Sequence, residues 1–176
     1  FFVAVGFGII APTLPLFARS FGVNNAQVGA IISAFAFARF ASGLISGKLV
    51  DKFGERLVYT TGVGFVAISS FAAAFAQNYQ QLLIFRAAGG LGSSMFSVAA
   101  GSIILRATDD SRRARAQSLY NSSFLVGMMA GPVIGGFLTA ISLRAPLFIY
   151  AVLLVISSAA GGFLLRNSVL AARPTE

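Results

Sequence analysis

The chain has 176 residues, 57% of them hydrophobic and 10% charged, with a mean hydropathy of +0.84. A soluble domain of this size carries roughly a quarter of its residues charged to cover its surface, so the composition excludes a soluble enzyme and a disordered chain and marks a membrane protein. The formal net charge of +8 comes from 13 Lys and Arg against 5 Asp and Glu, and these charges fall in short gaps between apolar runs, the pattern of membrane topology rather than of a basic face for nucleic acid.

At about 20 apolar residues per span, the sequence predicts six. The first run, 1–18, contains Pro12 and Pro15, which remove backbone donors and predict a bend towards its far end. After a polar link at 19–27, the second span covers 28–46, carries Arg39, and ends at Gly47 in a charged turn reaching Arg56. The third covers 57–76 and is followed by an uncharged polar link, 77–80. The fourth runs over 81–105 with Arg86 near its start, and leads into 106–115, the most charged stretch of the chain. The fifth covers 116–140. A short turn around Arg144 leads to the sixth, 146–165. The expected organisation is one six-helix bundle over 1–165, with 166–176 a cytoplasmic tail or the start of an inter-domain linker, and no room for an extramembrane domain. The chain opens at Phe1-Phe2 without a methionine and reads as a fragment.

Short loops rich in Lys and Arg stay cytoplasmic. One set of alternate links holds Lys48, Lys52, Arg56, Arg106, Arg112, Arg113, Arg115, Arg166 and Arg173, and the other holds only Arg19 and Arg144. The bias predicts a multi-pass protein of the cell membrane with both ends cytoplasmic. Histidine and cysteine are both absent, so a thiolate nucleophile, a disulfide framework and the commonest metal ligand and general base are missing. No enzyme, metal site or nucleic-acid partner is expected; the expected partners are the lipid bilayer and a small-molecule substrate.

The link after the second span reads Gly47-Lys48-Leu49-Val50-Asp51-Lys52-Phe53-Gly54-Glu55-Arg56. In physical terms Gly47 lets backbones approach, Asp51 caps the start of the next segment, and Gly54 supplies a left-handed backbone angle at the reversal. In the fifth span, Gly127, Gly131 and Gly135 recur every fourth residue and form a smooth stripe for close helix packing, and Pro132 beside it bends the helix.

The ordered pattern G-x-L-x-D-[RK]-x-G-x-R resembles the signature loop of the major facilitator superfamily. Two further elements are similar to that family: Arg86, Gly90 and Gly92 in the fourth span, and Gly8, Pro12 and Pro15 in the first. The run Gly127-Met128-Met129-Ala130-Gly131-Pro132-Val133-Ile134-Gly135-Gly136 looks like the element of its drug/proton antiporter branch. The resemblance implies an all-α polytopic fold, a six-transmembrane-helix bundle of two inverted three-helix repeats, which is the N-terminal half of a transporter. A second six-helix half is then expected after Glu176, this piece alone is not expected to transport, and the proton gradient rather than a cofactor is the expected driving force. The implied function is proton-coupled efflux of drugs or small metabolites by rocking-bundle alternating access. A carrier for a small anionic solute and a non-transporting half-size scaffold are the alternatives. The implied gate loop comprises Gly47, Asp51, Lys52, Gly54 and Arg56, and the implied antiporter element Gly127, Gly131, Pro132, Gly135 and Gly136.

A charge inside a span costs at least ~2.5–3.5 kcal/mol on insertion scales and is a functional candidate by default. Arg86 lies roughly 8 Å into its span; the resemblance implies an arginine that assists proton transfer or organises the cavity between the first and fourth spans, and it is also close enough to the membrane surface to snorkel. Arg39 lies roughly 12 Å from the other end of its span, on one face with Phe35, Gly43 and Gly47, where it lines a cavity, pairs across the halves or anchors at the interface. Met95, Phe96, Phe124 and Met128 are candidates for an adaptable apolar cavity wall, while Tyr120, Asn121, Ser122 and Ser123 are either polar lining or packing groups. No acidic residue falls within a span: Asp51, Glu55, Asp109, Asp110 and Glu176 are all in links or the tail. Either a coupling carboxylate, whose pKa a cavity must tune, lies outside this half, or the transporter is a facilitator, or it takes an anionic substrate that Arg39 and Arg86 attract. Glu55, four residues after Asp51, places a like charge where an ion pair would help, so Asp51 is expected to find its partner at Arg112 or Arg113.

Overall fold

Helix ends in this chain are set by residues close at hand in sequence. In the computed structural model, which describes residues 1–167, α1 (Phe2–Arg19) is continuous through Pro12 and Pro15. The prolines leave two carbonyls without their helical donors, and the Thr13 hydroxyl between them donates to the Ile9 carbonyl at 2.9 Å. Ser20 closes the helix by donating to the Phe17 carbonyl, and Gly22 turns the chain at φ +74°. Asn24 then caps α2 (Asn25–Ala41) reciprocally with Gln27, satisfying two otherwise orphaned donors. On the same end of the bundle Asn78 caps α5 (Tyr79–Ala107) through the Gln81 amide. The remaining helices are α3 (Gly43–Phe53), α4 (Glu55–Ala74), α6 (Asp110–Ile141) and α7 (Ala145–Leu164), the last opening on Pro146, with one 3-10 turn at Leu165–Asn167. The expected tail or linker lies outside the described residues beyond 167.

The second predicted span is not one helix. It is α2 and α3, bent by 46° where they meet at Ser42. Two Ser-Gly pairs, Ser42-Gly43 and Ser46-Gly47, explain the break. The Ser42 hydroxyl donates to the Ala38 carbonyl at 2.7 Å and that of Ser46 to the Ser42 carbonyl at 2.9 Å, competing with the backbone ladder beside glycines that do not stiffen it. The stripe of Phe35, Arg39, Gly43 and Gly47 is therefore interrupted. The predicted charged turn is correspondingly short, since α3 runs to Phe53 and only Gly54, at φ +81°, separates it from α4.

With α2 and α3 counted as one bent span, six segments are long and apolar enough to cross a membrane. α1 packs against α6 and α7, α5 packs against α2, α3 and α4, and α4 packs against α7. Exchanging the first three spans for the last three converts α1·α6 into α5·α2 and α1·α7 into α5·α4, and returns α4·α7 to itself. The bundle is thus two related triplets, and because successive spans alternate in direction and three is odd, the second triplet is inverted relative to the first.

Small residues bring these helices together. A Cβ on Gly131 would stand 2.4 Å from Gly8 Cα, one on Gly90 2.4 Å from the Phe35 carbonyl oxygen, and those of Gly62 and Gly92 would meet each other's carbonyls. In lipid there is little hydrophobic force between helices, so such backbone contact carries the association. Gly136, by contrast, would place its Cβ in open space among the described residues. Gly131→Ala is expected to lower stability by ~1–3 kcal/mol through overpacking, whereas Gly136→Ala stays within ~0.5 kcal/mol; thermal melting in detergent compares the two.

Candidate functional site

Tight pairing of α1 with α6 and of α2 with α5 leaves the two pairs only loosely joined, and a cavity of about 420 Å³ opens between them. α5 contributes Ser93, Ser97 and Gly101, a face of small residues at helical spacing, with Ile104 beyond them. α6 contributes Gln117, Tyr120, Asn121 and Phe124 in the same way, with Gln117 Nε2 donating to Asn121 Oδ1 at 3.2 Å. Phe7, Phe96 and Tyr150 complete an aromatic wall.

Arg39 is the charged group of this cavity. Its Nη2 donates to Ser97 Oγ at 2.9 Å, joining α2 to α5, while the side chain stays exposed. Asp51, Glu55, Asp109 and Asp110 lie at the basic end of the bundle, so among the described residues no carboxylate lines the cavity. The chemistry on offer is one guanidinium, neutral hydroxyls and amides, and aromatic faces.

Arg86 is enclosed behind the cavity wall rather than placed at the membrane surface. At 3% exposure it does not snorkel, and it does not line the cavity. Its guanidinium lies 4.7 Å over the Phe35 ring, which stands 6.3 Å from the ring of Phe7 on the cavity wall. Burial and a cation–π contact hold it one aromatic layer behind the cavity, with Nε and Nη1 lacking hydrogen-bond partners among the described residues.

The expected cavity wall is only partly met. Phe124 and Phe96 line it, but Met95 turns towards Gly62 and packs with Val50, Val58 and Ala99, and Met128 presents its backbone to Gly8 instead. A shift of one residue along a helix rotates a side chain by about 100°, and the composition of α5 and α6 does not say which face meets which neighbour. Gln117, Ser93, Ser97, Phe7 and Tyr150 were not singled out from the sequence; the signal for α5 was the i, i+4, i+8 spacing of Ser93, Ser97 and Gly101. In α6, Gly127, Gly131 and Gly135 are buried against α1, while Pro132 and Gly136 are exposed.

The basic end differs from expectation in more detail. Gly47 makes no close approach, because an added Cβ would meet nothing among the described residues, and the cap of α4 is Gly54 rather than Asp51. Asp51 is exposed and has no polar partner among the described residues; Arg113 pairs with Asp110 at 2.8 Å instead. Lys52 lies over the Phe53 ring, and Arg56 Nε donates to the Gly162 carbonyl at 3.1 Å, tying α4 to α7. A second ion pair, which the sequence reading did not anticipate, is buried on its acidic side. Glu55, 1% exposed, forms an ion pair with Arg106, Oε1 lying 2.8 Å from Nε. Gly54 turns the chain so that Glu55 opens α4 and faces the last turn of α5, where a carboxylate at one helix start and a guanidinium at another helix end both suit the backbone dipoles.

The sequence profile of the Major Facilitator Superfamily matches residues 1–175. Among curated relatives, the Quinolone resistance protein NorA of Staphylococcus aureus (strain MRSA252) is 26% identical over 148 residues, covering 84% of this chain and 38% of that protein. The Multidrug resistance protein 1 of Bacillus subtilis (strain 168) is 26% identical over 151 residues, covering 86% of this chain and 39% of the relative. The chain thus spans about two fifths of the length of the curated relatives it matches.

Removing one partner of a fully buried ion pair costs ~3–5 kcal/mol; Arg106 is half exposed, so ~1–2 kcal/mol is expected here after solvent screening. Glu55→Gln and Arg106→Gln should each lower the melting temperature in detergent. The combined variant should melt no lower than the worse single one, and strict additivity would show that the two side chains are not coupled.

Proposed function

The chain belongs to the Major Facilitator Superfamily, a family of membrane transporters and not of enzymes, and we propose that it forms one half of a secondary transporter that exports drugs or small metabolites by rocking-bundle alternating access, coupled to the proton gradient. The observation that carries this reading is the cavity between the two helix pairs, walled by Phe7, Phe96, Phe124, Tyr120 and Tyr150 with Arg39 at its side. Aromatic walls with a few polar groups suit amphiphilic molecules of varied shape. The names of the relatives, which speak of quinolone and multidrug resistance, agree with that substrate class.

In this reading the remainder of the protein supplies a second six-helix half beyond Glu176, which closes the cavity and holds the coupling carboxylate. Arg39 meets the substrate, and Arg86, behind the Phe35 ring, tunes the potential of the wall. The basic end faces the cytoplasm of the cell in whose membrane the bundle sits, with both ends of this half inside, as the Lys and Arg bias favours. The segment 47–56 is the gate, and exposed Asp51 finds its partner on the other half when the site faces outward. A second reading, transport of a small anionic solute, is favoured by one specific observation: Arg39 is the only charged group lining the cavity among the described residues.

Efflux of a dye panel from cells carrying the complete gene tests these readings. Export of amphiphilic dyes is expected to stop when the proton gradient is collapsed, and its persistence would remove the coupling. Arg39→Gln should weaken handling of acidic dyes about tenfold or more, the loss of one charge-assisted hydrogen bond worth ~1.5–3 kcal/mol, and spare neutral ones. Equal loss for both would assign Arg39 to the scaffold. Asp51→Asn should slow turnover more than it weakens binding. A reporter fused at Asp110 should report the cytoplasm and one at Asn78 the outside.

A further inference from the structure

Two arginines at the start of α6 have no use in the architecture above. Arg112 and Arg115 border a pocket of about 380 Å³ with Thr108, Ala116 and Leu119, at the basic end of the bundle. Both are exposed, and neither side chain has a hydrogen bond or ion pair among the described residues. The nearby Asp110 is engaged by Arg113, and the Asp109 carboxylate makes no ion pair with either of them, its backbone carbonyl alone accepting the Arg112 N–H. Two adjacent unneutralised guanidiniums lining one concavity form a receptor for a multivalent oxygen anion, since each presents a fork of donors.

The apolar surface beside them narrows the class of anion. Arg112, Arg115 and Leu119 share one face of α6 at i, i+3 and i+7, and the same face continues through Val126, Met129, Val133 and Phe137. Each of these apolar residues is more than half exposed. From Leu119 to Phe137 the stripe is roughly 27 Å long, close to the ~30 Å of a hydrocarbon core. It lies to one side of the Gly127, Gly131 and Gly135 face that is buried against α1. A face that is dicationic at the membrane surface and apolar from there inward matches a molecule with a phosphate headgroup and an acyl tail.

We propose that α6 carries a site for an anionic phospholipid, its phosphate held between Arg112 and Arg115 and an acyl chain lying along Leu119 and Val126. The site is independent of what the cavity transports. Basic pockets at the ends of membrane helices recognise such headgroups, with roughly 1 kcal/mol from each Arg near the surface.

The test uses the complete protein in a neutral detergent, titrated with phosphatidylglycerol, with phosphatidylcholine, and with inorganic phosphate alone, read by thermal melting and by lipid retention in native mass spectrometry. Phosphatidylglycerol should raise the melting temperature and remain bound, while phosphatidylcholine and inorganic phosphate do neither. Arg112→Gln/Arg115→Gln should melt normally without lipid and bind phosphatidylglycerol about tenfold or more weakly, whereas Arg113→Gln, which removes an arginine already paired, should retain it. Equal stabilisation by both lipids, an effect reproduced by phosphate alone, an unchanged response in the double variant, or no response in the parent protein because another segment covers the face would each overturn the proposal.

Discussion

Backbone touching backbone across α1 and α6 is the contact on which the rest of this bundle depends. Gly131 has room for no more than a hydrogen against Gly8, and Gly127 and Gly135 extend that seam over two turns. In a bilayer, where side-chain burial between helices gains little over lipid, contact at this range provides the dispersion and fixes the register. Exchanging the triplets turns this seam into its counterpart, Gly90 of α5 against the Phe35 carbonyl of α2. Two such seams make two rigid helix pairs. Rigid pairs with little between them leave a gap, and that gap is the cavity lined by Arg39 and the aromatic residues.

Charge is distributed with the same economy. A buried guanidinium requires compensation, and the fold handles its two intramembrane arginines differently. Arg39 keeps contact with the cavity and one hydroxyl, while Arg86 is enclosed against an aromatic face. The carboxylates of the described residues stay at one end, where Glu55 joins the start of α4 to the end of α5 through Arg106. That pair ties the two triplets together within this half, since α4 closes the first and α5 opens the second.

Much of this was legible before any coordinates. Six apolar runs gave six spans, because a membrane helix has to announce itself over about 20 residues, and the four-residue glycine period gave the α6 stripe because nothing larger fits there. The bend at Ser42 was missed: a span reads as continuous when hydropathy alone is scored, and the Ser42-Gly43 pair acts through hydrogen bonding, which hydropathy does not register. Met95 and Phe96 are neighbours of similar character, yet one packs towards α4 and the other lines the cavity, a difference set by which helix lies opposite. Glu55 misled for the same reason. Spacing set it against Asp51, whereas its burial depends on Arg106, fifty-one residues away in sequence.

The bend at Ser42 and the proline of α6 occupy corresponding spans under the exchange that relates the triplets. They differ in kind. Pro132 has no backbone N–H to donate, so one ladder bond is absent by covalent structure, yet α6 runs on through it. At Ser42 the backbone N–H still donates to the Ala38 carbonyl at 3.1 Å, and the hydroxyl adds a second bond to the same oxygen at 2.7 Å. The two triplets share one architecture but not one continuity: the span at Ser42 is split into two helices set at 46°, whereas its counterpart carries its proline inside a single unbroken helix.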